Sequence, residues 1–163
     1  MAEHAPAIFV ALQESGLAAA IRQSTWAYMA ANVGHIISLV VFAGAVAVMD
    51  LRMAGVFGTT PAGDVLRATR PVAIAAFLGL AVTGAALFAA EASHVIMNPV
   101  FQFKLVLITL GLLNVVAFEF LFARRVAAVP AGMPLPGAAR AAGMISIALW
   151  IAVAACGRTI AYY

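Results

Sequence analysis

The chain has 163 residues, of which 66% are hydrophobic and only 9% are charged, and its mean hydropathy is +1.09. A soluble domain is about half apolar and about a quarter charged, so a soluble chain of this composition could not hide its apolar surface from water. The composition therefore excludes a soluble enzyme, a disordered chain and a nucleic-acid-binding domain. It predicts one small integral membrane domain.

The N-terminal segment, residues 1–25, is more polar than the rest of the chain. Over residues 6–22, apolar residues recur at near-helical spacing with polar residues between them: Phe9, Leu12, Leu17 and Ile21 against Gln13, Glu14 and Arg22. This pattern predicts an amphipathic helix that lies in the membrane interface. The start of the segment is not basic and its apolar run is interrupted, which is not typical of a secretory signal. His4 is expected to have no role.

Four long stretches of the chain carry no Asp, Glu, Lys or Arg, namely residues 23–49, 71–90, 105–118 and 141–157. A helix needs about 20 mostly apolar residues to cross the hydrocarbon core of a bilayer. Within a domain of residues 26–163 we therefore predict four spans, at about 26–49, 71–96, 99–123 and 139–158. Short Gly- and Pro-containing connections predict an all-α antiparallel four-helix bundle, preceded by the interfacial helix.

The arginines are unevenly distributed between the two sides of the predicted bundle. Those in or beside the first and third loops are Arg52, Arg67, Arg70, Arg124, Arg125 and Arg140, whereas Arg22 and Arg158 lie on the opposite side. Basic loops face the cytoplasm in multi-pass membrane proteins. We therefore expect a protein of the bacterial inner membrane with both termini in the periplasm.

Ionisable side chains in the predicted spans gather in the periplasmic half: His35, Glu91, His94, Lys104 and Arg158. On each span, residues spaced three or four positions apart share one face of the helix, and we predict that these four faces converge. The faces are Tyr28, Asn32, His35, Ser38 and Phe42 on the first span; Thr83, Leu87, Glu91 and His94 on the second; Lys104, Gly111 and Asn114 on the third; and Ser146, Trp150 and Arg158 on the fourth. Burying a charge at mid-membrane costs about 2.5–3.5 kcal/mol or more, so these residues indicate a functional site.

Simpler roles remain open for each of these residues. His35 could be a neutral imidazole bonded to a neighbouring Ser or backbone carbonyl, His94 an interfacial histidine in water, Lys104 a side chain that reaches the interface, and Arg158 a terminal anchor. Glu91 is expected to pair with Lys104, Arg158 or water. Glu119 is expected to form a helix-end ion pair with Arg124 and Arg125.

One deep histidine and a second histidine on another helix suit haem iron. The prediction is a bound haem b with His35 and His94 as metal ligands, and with Lys104 and Arg158 paired with the propionates. The predicted bundle offers copper neither a thiolate nor a cluster of methionines. Zinc would require three or four close ligands, and only two histidines are candidates. No catalytic residue is predicted, and whether the protein is an enzyme stays open.

Short motifs also follow the order found in a known family: His35, Phe42-Ala43-Gly44, Leu51-Arg52, Arg70-Pro71 and Phe101-Gln102-Phe103-Lys104-Leu105. Residues 26–123 thereby resemble HemJ-type protoporphyrinogen oxidases and the related copper-resistance protein D membrane domain. That resemblance implies bound haem b, with His35 as a haem ligand and Lys104 as a polar or propionate partner. Asn114 and Phe118 stand where the family has a Tyr-His pair. The whole chain also resembles a bacterial family of small four-span membrane proteins, which implies membership and no activity.

The predicted function is that of a b-type haem protein in the lipid bilayer, which transfers electrons between a membrane quinone and a periplasmic redox protein. Three alternatives remain: a HemJ-like protoporphyrinogen oxidase, a copper uptake protein and a cofactor-free structural subunit of a membrane complex. The chain could form a homo-oligomer or join a larger complex, and no nucleic-acid partner is expected.

Overall fold

The computed structural model describes residues 5–162, so His4 lies outside the described part of the chain. Its helices are α1 (Ala7–Glu14), α2 (Gly16–Gln23), α3 (Thr25–Ala54), α4 (Ala62–Ala90), α5 (Ala92–Val95), α6 (Pro99–Leu121), α7 (Ala123–Ala127) and α8 (Gly137–Thr159), followed by a 3₁₀ turn at Ile160–Tyr162. Within residues 5–162 there is no β-strand.

Four of these helices, α3, α4, α6 and α8, are long and apolar enough to cross a membrane, and we call them the first to fourth spans. Their side chains remain largely exposed within the isolated chain, as lipid-facing side chains do. The chain is thus an all-α, multi-pass membrane protein built as a four-helix bundle in a lipid bilayer, which confirms the predicted fold class.

The second span differs most from its predicted bounds. It begins at Ala62, after Pro61, so that Pro71 lies inside the helix rather than in its first turn. Proline inside a membrane helix is tolerated because neighbouring groups satisfy the freed backbone carbonyl. The span ends at Ala90 because Glu91 leaves the helical conformation, with φ −137° and ψ 33°. His94 consequently lies on the separate one-turn helix α5 and not on the second span.

The predicted interfacial segment is helical but broken into α1 and α2 at Ser15, whose backbone is extended. The Ser15 hydroxyl caps α2 by accepting from the backbone N–H of Ala18 at 3.3 Å. Side-chain contacts attach the segment to α5 and to the end of the second span. Gln13 Oε1 accepts from the Ser93 hydroxyl at 2.7 Å, and Arg22 Nη1 donates to the Ala90 carbonyl at 2.9 Å. Arg22 therefore satisfies one of the unpaired carbonyls at that helix end.

The spans pack in the order second, first, fourth, third. The second and third spans do not pack along each other, and side chains join them near their ends: the rings of Phe88 and Phe101 stack at 5.3 Å, and Arg70 pairs with Glu119 at 2.9 Å. The predicted pairing of Glu119 with Arg124 and Arg125 is therefore wrong. The third span ends at Leu121, and both arginines lie on the separate helix α7.

Two clusters of side chains fill the interior. The aromatic cluster, formed by Phe42, Phe77 and Trp150, joins the first, second and fourth spans near the middle of the bundle. A second cluster lies toward the arginine-rich face, the end of the bundle that carries the first and third loops: Met53, Ala62, Leu66, Val126, Leu135 and Ala139. Both clusters lie on one side of His35, toward the arginine-rich end.

Asn114 links the third span to the fourth, because its Nδ2 donates to the Ala142 carbonyl at 3.0 Å. Interhelical hydrogen bonds in membrane proteins average about 0.6 kcal/mol and reach about 1.7 kcal/mol. We expect Asn114→Ala to lower the free energy of unfolding in micelles by about 1 kcal/mol. Asn32→Ala is the matched control, since Asn32 Nδ2 donates to Tyr28 within its own helix. Equal losses in both variants would contradict an interhelical role.

Candidate functional site

His35 is half-buried on the first span, where its ring faces the second span. Its Nδ1 lies 2.9 Å from Thr83 Oγ1, and its Cε1 would lie 3.2 Å from a Cβ atom placed on Gly84. A glycine at position 84 therefore lets the imidazole lie against the backbone of the second span. Of the predicted stripe on the second span, Thr83 is the residue that the structure brings to His35.

The hydrogen bonds of Thr83 favour one tautomer of His35. The Thr83 hydroxyl donates its single proton to the Gly79 carbonyl at 2.6 Å, one turn earlier in the same helix. In the tautomer that this arrangement favours, Nδ1 of His35 carries the proton and donates to the Thr83 oxygen. A neutral imidazole with a proton on Nδ1 has an unprotonated Nε2. That atom can accept a hydrogen bond or coordinate a metal.

Lys104 is the half-buried basic residue in the same half of the bundle, where Arg22 and Arg158 are exposed. Asn98 sets its position, because its side-chain oxygen accepts from the backbone N–H of Val100 at 2.9 Å and starts the third span just before Pro99. The Lys104 side chain is half-buried, and its Nζ would lie 3.4 Å from a Cβ atom placed on Gly157 of the fourth span.

No carboxylate neutralises Lys104 within residues 5–162. The ion pairs there are Arg67 with Asp64 and Arg70 with Glu119, both toward the arginine-rich face. The expected pairing of Glu91 with Lys104 or Arg158 is not among them, and Glu91 is exposed beyond the end of the second span. The ammonium group of Lys104 is therefore not neutralised by a carboxylate among the described residues.

The other two predicted site residues lie at the end of the bundle. His94 is exposed on α5. The helix from Thr83, the partner of His35, to Ala90 already rises by about 10 Å at 1.5 Å per residue, and His94 follows its end. The structure therefore does not bring His94 to the imidazole of His35. Arg158 is exposed as well, and its Nη2 donates to the Tyr162 hydroxyl at 2.6 Å, with the guanidinium 4.8 Å from the ring centroid.

The aromatic cluster closes the site on the side of the arginine-rich face. Phe42 lies two helical turns, about 10 Å, beyond His35 on the first span. The Trp150 ring is 4.7 Å from the ring of Phe42 and reaches the third span, where a Cβ atom on Gly111 would lie 3.0 Å from it. A flat ligand at His35 would therefore have to lie on the side of the imidazole that faces away from the aromatic cluster. The second and third spans do not pack along each other.

Neither of two cavities in the structure is lined by His35. One, of about 460 Å³, is an open groove between the first and second spans lined by Ile37, Ser38, Val41, Pro71, Val72, Ala75 and Ala76. The other, of about 290 Å³, lies at the arginine-rich face. Among the described residues, no group of three or more His, Cys, Asp and Glu side chains could hold a metal ion. The imidazole of His35 could thus serve as one axial ligand of a haem. Neither cavity is a preformed cleft of the size of a porphyrin at that residue.

Sequence reasoning placed Thr83 and Trp150 on interior stripes but did not assign them a role. The signal for Thr83 was present, since a hydroxyl residue one turn from Gly79 and beside Gly84 can orient an imidazole on a neighbouring helix. The position of Trp150 in the centre of the bundle followed only from the packing order of the spans.

Comparisons with protein-family models, curated proteins and solved structures find no match to this chain.

Proposed function

We propose that this protein binds haem b in the membrane, with His35 Nε2 as an axial ligand of the iron. The observation that carries the proposal is the hydrogen-bonded chain from His35 through Thr83 to the Gly79 carbonyl, which favours the tautomer whose Nε2 is unprotonated. Metal-binding histidines almost always donate their other ring N–H to an oxygen in this way, which sets the orientation of the ring. A haem so held would supply reversible one-electron chemistry.

Lys104 would pair with a haem propionate. Its ammonium group is half-buried and has no carboxylate partner within the described residues, and an anion would lower the cost of holding a cation at that depth. Arg158 is exposed at the same end of the bundle, and its bond to Tyr162 uses only one of the five guanidinium donors, so it too could bind a propionate. Thr83 is a positioning residue in this arrangement, because it acts on the iron only through the imidazole.

Electron transfer between a membrane quinone and a periplasmic redox protein is the role that we propose for the haem. The site lies in the half of the bundle away from the arginine-rich loops. If those loops face the cytoplasm, as basic loops do, that half opens toward the periplasm of the bacterial inner membrane. Both termini would then be periplasmic.

The test is the absorption spectrum of the full chain, purified in mild detergent after expression with ample haem. We expect a Soret band, and split α and β bands after reduction. His35→Ala should abolish the Soret band, since the axial ligand is lost. His94→Ala is the matched control and should leave the band in place, because the His94 side chain is exposed on α5.

Thr83→Val tests the positioning role in the same preparation. The change keeps the shape of the side chain but removes the acceptor for Nδ1, and the loss of such a partner lowers metal affinity by about 10- to 100-fold. Haem should therefore remain bound in smaller amount. A Soret band of equal height in the His35→Ala variant, or a colourless parent protein, would end the haem proposal.

A cofactor-free structural subunit is the second candidate, and the aromatic cluster favours it. Trp150, Phe42 and Phe77 fill the middle of the bundle with side chains, so the four spans can pack without a ligand there. A colourless preparation that co-purifies with a stoichiometric membrane partner would support this function over haem binding.

A further inference from the structure

Arg52 is a buried cation near the end of the first span, on the arginine-rich face. Only 1% of this residue is exposed. Its Nε donates to the Thr60 carbonyl at 2.8 Å, but its buried Nη2 has no hydrogen-bond partner within the described residues. Leaving a buried charged donor unsatisfied is costly, so native structures normally supply a partner. The unfilled donor at Nη2 points to a ligand.

A cavity of about 290 Å³ lies beside Arg52. Two arginines, three glycines and three further residues line it: Arg52, Arg140, Gly55, Gly58, Gly132, Met133, Pro134 and Leu135. Arg140 uses Nη2 to donate to the Ala54 carbonyl at 3.3 Å, a weak bond that leaves most of its donors available. Ligand pockets range from about 300 to 1,000 Å³, so this cavity suits a small group.

Two loops hold the walls of the cavity in place. The Gly132 N–H of the third loop donates to the Gly58 carbonyl of the first loop at 2.8 Å. Gly55 and Gly132 have φ angles of 106° and 79°, which side chains with a Cβ rarely adopt. The cavity is therefore formed before any ligand arrives.

The charge of the cavity is not balanced from within. No carboxylate oxygen of the described residues lies within 4.0 Å of the guanidinium of Arg52 or Arg140. The ion pairs among those residues involve Arg67 and Arg70 instead. Asp50 precedes Arg52 by two residues, a spacing that places the two side chains on different sides of a helix. An anion from outside would supply the missing charge.

We infer that this cavity binds the phosphate group of an anionic molecule at the membrane surface. Guanidinium groups form paired hydrogen bonds with phosphate oxygens, and the cavity presents Arg52 and Arg140 together. Its place at the ends of the first and fourth spans is the level at which lipid phosphates lie. The phosphate could belong to an anionic lipid or to a soluble phosphate compound, which the following experiment distinguishes.

The experiment measures the melting temperature of the full chain in mild detergent with added short-chain phosphatidylglycerol, phosphatidylcholine or inorganic phosphate, at constant ionic strength. We expect phosphatidylglycerol to raise the melting temperature in a saturable way and phosphatidylcholine to have a much smaller effect. Arg140→Gln should weaken the affinity about tenfold, the effect of losing one hydrogen bond to a charged group. The ligand-dependent shift, rather than the basal melting temperature, separates binding from any structural role of Arg140.

Two further variants keep the inference falsifiable. Arg67→Gln is the matched control: it removes an equal charge on the same face from a side chain that is 84% exposed, and should leave the shift unchanged. Arg52→Lys keeps the buried charge but loses the planar fork, and should weaken the response as Arg140→Gln does. A full shift with inorganic phosphate alone would support the phosphate site and identify a soluble source. Equal responses in the parent, Arg140→Gln and Arg52→Lys, or no response to any phosphate compound, would overturn it.

Discussion

Trp150→Ala should lower the free energy of unfolding by about 3 kcal/mol, the lower end of the range for large aromatic truncations in a packed interior. The Trp150 ring contacts Phe42 of the first span at a centroid distance of 4.7 Å and Phe77 of the second at 6.2 Å, and it lies against Gly111 of the third. Removing it leaves a void that all four spans line. Lipid tails are as apolar as these side chains, so the loss is one of close packing rather than of transfer from water.

SDS-driven unfolding in mixed micelles, followed by far-UV circular dichroism, measures this loss without relying on tryptophan fluorescence. Trp26→Ala makes the identical change at the start of the first span, where the side chain is 78% exposed, and should cost about 0.5 kcal/mol or less. If the two variants unfold at the same SDS fraction, Trp150 does not hold the bundle together.

Gly143→Ala should separate the first and fourth spans and lower the free energy of unfolding by about 2 kcal/mol, as overpacking of a filled interior does. A Cβ atom on Gly143 would lie 2.7 Å from the Cβ of Met53 and 3.2 Å from the Asp50 carbonyl oxygen. Neither atom can swing aside, because the first is attached to the backbone and the second belongs to it. One helix must therefore move.

Gly44→Ala is the matched control for that variant. It is the same change inside the first span, but nothing lies within 4 Å of the added Cβ atom. Because alanine is the better helix former, Gly44→Ala should leave stability unchanged or raise it by up to about 1 kcal/mol. The same unfolding assay compares the two variants, and a Gly143→Ala protein as stable as Gly44→Ala would show that the spans do not approach so closely.

A haem at His35 would not require the aromatic cluster to move. The cluster lies about 10 Å from the imidazole along the first span, and the proposed ligand would lie on the side of the His35 imidazole that faces away from the cluster. The haem spectrum and the stability of the Trp150→Ala variant are therefore independent measurements. A variant that loses stability but keeps its Soret band would assign packing to Trp150 and cofactor binding to His35.

The charge-free segments were sufficient to predict four spans, because an apolar stretch of about 20 residues has few alternatives to a membrane helix. The bounds were less predictable. Pro71 indicated a helix start, but the second span begins nine residues earlier, at Ala62, since a proline inside a membrane helix can be accommodated. The end at Glu91 was not visible in the pattern, because the three-four spacing continues to His94 across the break.

The sequence by itself determined that the chain is helical, that it lies in a membrane, and that His35 and Lys104 stand among apolar residues. Each of these follows from local composition and periodicity, which a single helix already expresses. Only the tertiary structure decided that Thr83 orients His35, that His94 stays apart, and that Arg52 and Arg140 line one cavity. Those facts depend on which spans are neighbours and on how each helix is rotated. Close packing of small residues such as Gly84 and Gly143 sets both, and a pattern read along one chain does not contain it.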